Sequence, residues 1–378
     1  MLVKNILTQK YLPIIISIFV FVIYLFTMAP SVIQIDSGEL AAVQATLGIA
    51  HPTGYPLFTM IGYLFLQIPI PATTIFKSNL LAAVWCSLGI LFFVKSVLLI
   101  LTHNTNERTI DKKLKTKSFK IIETNDSNNN LILLSAIVGG LFLAFSKTYW
   151  MQSTSVEVYS LQILLFTLII FASLKRFYAD KNGLLSWVWV GFSLAFGFAN
   201  HMTTLLTLPF VGILFFWKEG FTKNGFTKIG LTFGASLPIL ILLYSYLPIR
   251  ALTNPEINWG NAVNWENFLR HITGKQYQVW LFSSTEAAKK QLTYFLENLT
   301  SEFTIAGIIL ALTGLIFTFK KSKRLAALIT FSFVAALLYS INYDIVDIDS
   351  YFLFNYILLA ILISIGFYYL ILTINNRL

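Results

Sequence analysis

The chain has 378 residues, of which 56% are hydrophobic, 16% aromatic and only 12% charged, and its net charge is +10. A water-soluble protein carries about a quarter charged residues, so this composition and a mean hydropathy of +0.72 exclude a set of soluble domains and point to a chain solvated by lipid. The single cysteine, Cys86 in an apolar stretch, excludes an intramolecular disulfide and a thiolate metal centre.

In chain order, apolar runs of bilayer-crossing character fall near 11–30, 75–101, 131–146, 157–174, 184–199, 203–217, 229–247, 303–319, 325–341 and 352–373. The first follows a short basic N-terminus without a small-residue cleavage site and reads as an uncleaved span. In lipid the backbone satisfies its own polar groups only as helix or closed barrel. The expected fold is therefore all-α, a single polytopic membrane domain over 1–378 with about ten transmembrane helices. The short pair flanking Asn200-His201 leaves room for eight or nine spans if some runs are re-entrant.

With the N-terminus in the cytoplasm, 19 of the 27 Lys and Arg residues fall in inside segments, and 11 of the 17 acids fall outside. A bias of this size in short loops sets orientation. The positive charge is thus a topology signal, and no nucleic-acid partner is expected. The basic inside loop 103–130 is polar and Asn-rich and lacks a glycine-rich phosphate cradle. That excludes an ATP-driven transporter and an enzyme fed by nucleotide sugars. Scarce cysteine and the lack of a long outer domain point to a bacterial cytoplasmic membrane.

The outer loops hold the chemistry. In the first, 31–74, stretches 39–48 and 56–67 have helical apolar spacing but are too short to span, which predicts interfacial helices. In the second, 248–302, Trp265, Phe268, Leu269 and Ile272 share one helical face, and Leu292, Phe295, Leu296 and Leu299 form another stripe read as a membrane-surface helix.

Polar groups at membrane depth are costly and mark function. Asp36 and Glu39 have the spacing of a capping box, and Asp36 beside apolar walls also suits a general base for a hydroxyl proton. His51, in the turn AHPTGYP, either bonds a turn backbone or contacts a phosphate or acceptor. Arg250 either snorkels to headgroups or binds a lipid phosphate through its guanidinium fork. Glu157 needs a partner, for which Arg250 and Lys147 are available, and Tyr159 follows it. Asn200 and His201 occupy a turn, and Asp344, Asp347 and Asp349 lie in an acidic loop with the composition of a cation site. Together these permit glycosyl transfer from a polyprenyl-phosphate sugar to a hydroxyl acceptor on the outer face. A lipid-linked sugar transporter or flippase and a non-catalytic assembly partner are the alternatives.

At these residues the sequence resembles a family within the GT-C glycosyltransferase superfamily, formerly a domain of unknown function, whose animal members are protein O-mannosyltransferases of the endoplasmic reticulum. The resemblance rests on IDSGELAAVQATLGIAHPTGYPL, then SVEVYSLQ, ANHMTTLL, LPIRALTNPEINWGN, HITGKQY and NYDIVDIDSYFLFNY, in that order. Where relatives carry HPPG, this chain has His51-Pro52-Thr53-Gly54. The resemblance implies a GT-C fold, inversion at the sugar carbon, mannose as the sugar, and a protein Ser/Thr or glycan acceptor. It makes Asp36 the base with Glu39 as its catalytic companion, and Arg250 with His51 the donor-phosphate contacts. Glu157, Tyr159, Asn200, His201 and Asp344 match motif positions without an assigned role. No cofactor or metal is implied, since the lipid-linked sugar is itself the substrate.

Overall fold

The computed structural model describes residues 2–33, 35–115, 126–180 and 183–375; residues 116–125 of the predicted basic loop lie outside the described residues. The helices are α1 (Leu2–Thr27), α2 (Ser37–Thr46), α3 (Pro56–Leu66), α4 (Thr74–Lys115), α5 (Asp126–Ala144), α6 (Lys147–Thr154), α7 (Val158–Tyr178), α8 (Val188–Asn200), α9 (Leu208–Glu219), α10 (Lys223–Ala251), α11 (Trp265–Ile272), α12 (Thr285–Lys321), α13 (Lys323–Ile341) and α14 (Leu353–Asn375). Among the described residues no strand forms. The all-α polytopic expectation holds.

All ten apolar runs are helical, but they are not ten equal spans. Among the described residues, eight helices are long and apolar enough to cross a membrane, or nine if a bent pair counts as one span. The run at 131–146 belongs to a pair, α5 and α6, bent by 68°, and α8 has only 13 residues. A 3-10 turn at Met202–Thr207 lengthens α9 backwards to His201.

The core centres on α14, whose residues from Leu353 to Tyr369 are almost all buried. It packs most extensively on α12, where Gly314 and Gly366 face each other so closely that a Cβ on either would collide with the opposite backbone. Without a water-driven force between helices, such small-residue contact lets dispersion hold the pair. At the C-terminal end of α9, Glu219 accepts from Arg176 at 3.1 Å, Lys228 at 2.5 Å and the Trp187 indole at 2.8 Å, tying α7, α9 and α10.

Two expectations for the segments 31–74 and 248–302 change. Helices α2 and α3 form where predicted, yet Leu40, Val43 and Phe58 pack into one cluster with Trp85, Leu161 and Ala199 of the span helices. They are seated on the bundle. The stripe at 292–299 is not a separate surface helix: Ser284 caps α12, accepting from the Ala287 N–H at 3.0 Å, and the helix runs on into the span with a break at Thr304. Leu292, Phe295 and Leu299 face the core while Leu296 is exposed.

Candidate functional site

Backbone pairing gathers the segments 31–74 and 248–302 and the acidic loop. Ile49 N–H donates to Ile257 O at 2.8 Å and Trp259 N–H to Ile49 O at 3.2 Å, joining the first loop to the second. Phe282 N–H to Asn342 O (2.6 Å) and Asp344 N–H to Trp280 O (3.0 Å) join the second to the acidic loop. Sequence segments far apart thereby meet over one cavity.

Its first wall is the turn between α2 and α3. Leu47 ends α2 in the left-handed region, Gly54 reverses the chain at φ +88, and Pro56 opens α3. A Cβ on Gly54 would lie 2.9 Å from both His271 and Leu247, so the turn must also be thin. Asp36 is the N-cap of α2, but its side chain makes no capping bond. Glu39 likewise turns away from the helix end: its Oε1 accepts from the His51 backbone N–H at 2.8 Å and stands 3.1 Å from His51 Nδ1. The capping-box geometry therefore does not form. A relay takes its place, with His51 Nε2 at 2.9 Å from the Tyr55 hydroxyl and 4.0 Å from Asp36 Oδ2.

The electrostatics separate the two acids. Burial raises the Asp36 pKa, with His51 pulling it down and Glu39 and Asp347 pushing it up. For Glu39 burial also works upward, but the hydrogen bonds and charge of His51 outweigh it and hold the carboxyl low. Glu39 is thus the anion that orients His51. Asp36, 38% exposed, is the more basic carboxylate and the one open to a ligand.

The cavity holds about 550 Å³ and is lined by Asp36, His51, Glu157, Tyr159 and His201, with Asp344 at its acidic-loop side. Glu157 is buried with no ion pair among the described residues; neither Arg250 nor Lys147 pairs with it. Burial, then the Asp36 and Asp347 charges, push its pKa up to about 8. At neutral pH it is a protonated donor. Tyr343 and Asp347 of the acidic loop also line the cavity, as do Tyr55, Tyr277 and Tyr351, which escaped the sequence reading. The only signal for them was their place inside the quoted motifs and the key GKQY segment.

Three expected site residues lie elsewhere or act otherwise. Arg250 is not among the cavity-lining residues. Its Nε donates to Leu47 O at 2.7 Å, one terminal nitrogen to Thr46 O at 3.0 Å and the other to the Thr253 hydroxyl at 3.0 Å. It caps the C-terminus of α2, whose last carbonyls lack helical partners. Asn200 donates to Val158 O at 3.1 Å and Gln162 Oε1 at 2.9 Å, bracing α8 on α7, while its neighbour His201 faces the cavity. The acidic loop does not converge as a cation site. Asp344 pairs with Lys290 at 3.3 Å, Asp349 accepts from the Tyr294 hydroxyl at 2.8 Å, and Asp347 faces the cavity. Among the described residues the group able to hold a metal ion is Asp36, Glu39 and His51, whose ligand atoms lie within 4.8 Å of one another.

Beside the cavity runs an apolar groove of about 700 Å³, lined by Leu240, Ile241, Tyr244, Trp265, Phe268 and Ile272 among others. Met202 and Thr273 line both spaces, so groove and cavity meet there.

The profile of the family described as "Protein O-mannosyl-transferase TMEM260 N-terminal domain" matches residues 36–224, half of the chain. The chain belongs to that family. The match begins at Asp36 and takes in Glu39, His51, Glu157, Tyr159, Asn200 and His201, and it bears out the resemblance carried by the ordered motifs. Among relatives, the Protein O-mannosyl-transferase tmem260 of Dictyostelium discoideum is 26% identical over 362 residues, covering 87% of this chain and 40% of that protein. The TMEM260 protein of Mus musculus is 24% identical over 306 residues, covering 78% of this chain and 38% of its own length. This TMEM260-family chain thus spans about two-fifths of the length of these relatives. Both are eukaryotic and give no support to the bacterial membrane expected from composition. No solved structure matches the chain.

Proposed function

We propose that the chain is a membrane glycosyltransferase that moves mannose from a polyprenyl-phosphate donor to a hydroxyl acceptor, a protein Ser/Thr or a glycan, on the non-cytoplasmic face. The observation that carries this reading is the junction itself: a cavity with several ionisable side chains in its lining, among them an exposed, raised-pKa carboxylate, lies beside an apolar groove, with Met202 and Thr273 lining both. A lipid with a charged sugar headgroup has that two-part shape. The named relatives support mannose and a protein acceptor. The charge bias of the loops supports the outer face.

In this reading Asp36 accepts the acceptor's hydroxyl proton as its oxygen attacks the sugar's anomeric carbon. The carbon–oxygen bond to phosphate breaks on the opposite side, its electron pair leaves with the polyprenyl phosphate, and the configuration inverts. Glu39 fixes His51, and His51 limits how Asp36 can turn. The reading needs no cofactor and assigns no metal to the Asp36 group.

The test is the purified protein in liposomes with polyprenyl-phosphate mannose and a Ser/Thr-rich peptide. Mannosylated peptide is the expected product. Movement of donor across the bilayer with no covalent product would establish the transporter reading instead.

A further inference from the structure

His201 stands at the junction: it lines the cavity, and the next residue, Met202, lines both cavity and groove. Its Nδ1 accepts from the Thr203 backbone N–H at 3.1 Å, with the Thr203 hydroxyl 2.9 Å away. An imidazole whose Nδ1 is an acceptor is neutral and carries its proton on Nε2. Three tyrosines hold the ring in place. Tyr55 stacks on it at 5.6 Å and 17°, Tyr159 leans on it at 4.8 Å, and Tyr351 meets it edge-on at 6.0 Å. Burial, then the nearby His51 charge, pull its pKa down to about 3, so it stays neutral at working pH. No described residue bonds its Nε2.

The surroundings are unusual for a phosphate site. Among the described residues no Lys or Arg lines either the cavity or the groove, whereas Asp36, Glu157, Asp344 and Asp347 line the cavity. Glu157 is protonated and Asp344 is paired with Lys290, so a ligand's negative charge meets chiefly Asp36 and Asp347, with the His51 imidazole as the one titratable cation among the cavity-lining residues.

We propose that His201 binds the donor's phosphate through its Nε2–H, and that this junction, which no Lys or Arg lines, selects a singly charged phosphodiester over a more highly charged phosphate. The inference rests on the donor reading above and goes beyond it in naming the contact and the charge rule. Transfer itself then favours release. Breaking the sugar–phosphate bond leaves the electron pair on the phosphate, so the bound monoanion becomes a phosphate monoester able to carry a second charge, the species the junction holds least well.

Binding to the purified protein distinguishes these ideas without turnover. The probes are farnesyl methyl phosphate, a monoanionic diester, and farnesyl diphosphate. Wild-type protein is expected to bind the diester about tenfold tighter or better. His201→Phe, which keeps the ring stack and loses the donor, is expected to weaken the diester about tenfold, while His201→Gln, which keeps an N–H near the Nε2 position, stays within about threefold. Diphosphate binding as tight as the diester, which needs no variant to observe, overturns the charge rule while leaving the donor reading intact. Equal loss in Phe and Gln variants overturns the His201 contact. If neither prenyl probe binds, the donor reading falls and this inference with it.

Discussion

Asp36 and Glu157 face the same cavity, and burial raises the pKa of both, that of Glu157 to about 8. Asp36 keeps solvent contact and a histidine neighbour, which oppose the rise that burial causes in its pKa. Glu157 has neither, and burial beside the Asp36 and Asp347 charges pushes its pKa up to about 8. The unfolded chain releases that proton near the ordinary glutamate value of 4.5. Between 4.5 and about 8 the folded state binds more protons than the unfolded one, so this group lowers stability as pH rises through that window. Wild-type protein in detergent should lose melting temperature from pH 6 to pH 8.5, by roughly 5 °C, and Glu157→Gln should melt more nearly independently of pH. An equal fall in both proteins would contradict the assignment. At this scale the sequence exposed residue types better than roles. Asp36, His51 and His201 were legible because ionisable groups stand out in an apolar chain. Arg250 misled, because the carbonyls it binds lie 203 and 204 residues away in sequence. Asp344 was preferred over Asp347 for want of the backbone pairing that turns one to Lys290 and the other inward.

Among elements, the helices were legible wherever an apolar run was flanked by polar residues, including α2, α3 and α11. Their packing was not. The stripe Leu292–Leu299 reads as a surface helix from its single apolar face, but just beyond it Glu302 is buried and accepts from Thr148 N–H at 3.0 Å and its hydroxyl at 2.5 Å, which anchors α12 on α6. The capping-box spacing of Asp36 and Glu39 was equally local, and the long-range bond to His51 displaced it. At the end of α9, Glu219 is a buried anion holding two buried cations on α7 and α10. Glu219→Ala leaves Arg176 and Lys228 without that charge and is expected to cost about 3–5 kcal/mol. Thermal unfolding in detergent checks it; a melting temperature within a degree or so of wild type would show that the cluster does not clamp these helices.

For the whole molecule, apolar length and loop charge carried the all-α polytopic architecture from sequence, while the gathering of three distant loops over one cavity depended on backbone pairs such as Ile49 with Ile257 that no periodicity reveals. Orientation is open to direct measurement. Val346 is 95% exposed beside the cavity, and the single native thiol, Cys86, is fully buried. Val346→Cys in sealed, right-side-out vesicles should react with a membrane-impermeant maleimide added outside. Reaction only after the vesicles are opened would place the cavity on the cytoplasmic side.

The account stands most directly on Asp36 as the proton acceptor of a transfer reaction. The decisive measurement is mannosyl transfer to peptide by Asp36→Asn in liposomes, alongside binding of farnesyl methyl phosphate to the same preparation. The prediction is a rate reduced by about 10²-fold or more with probe binding retained. Transfer at close to the wild-type rate would contradict it.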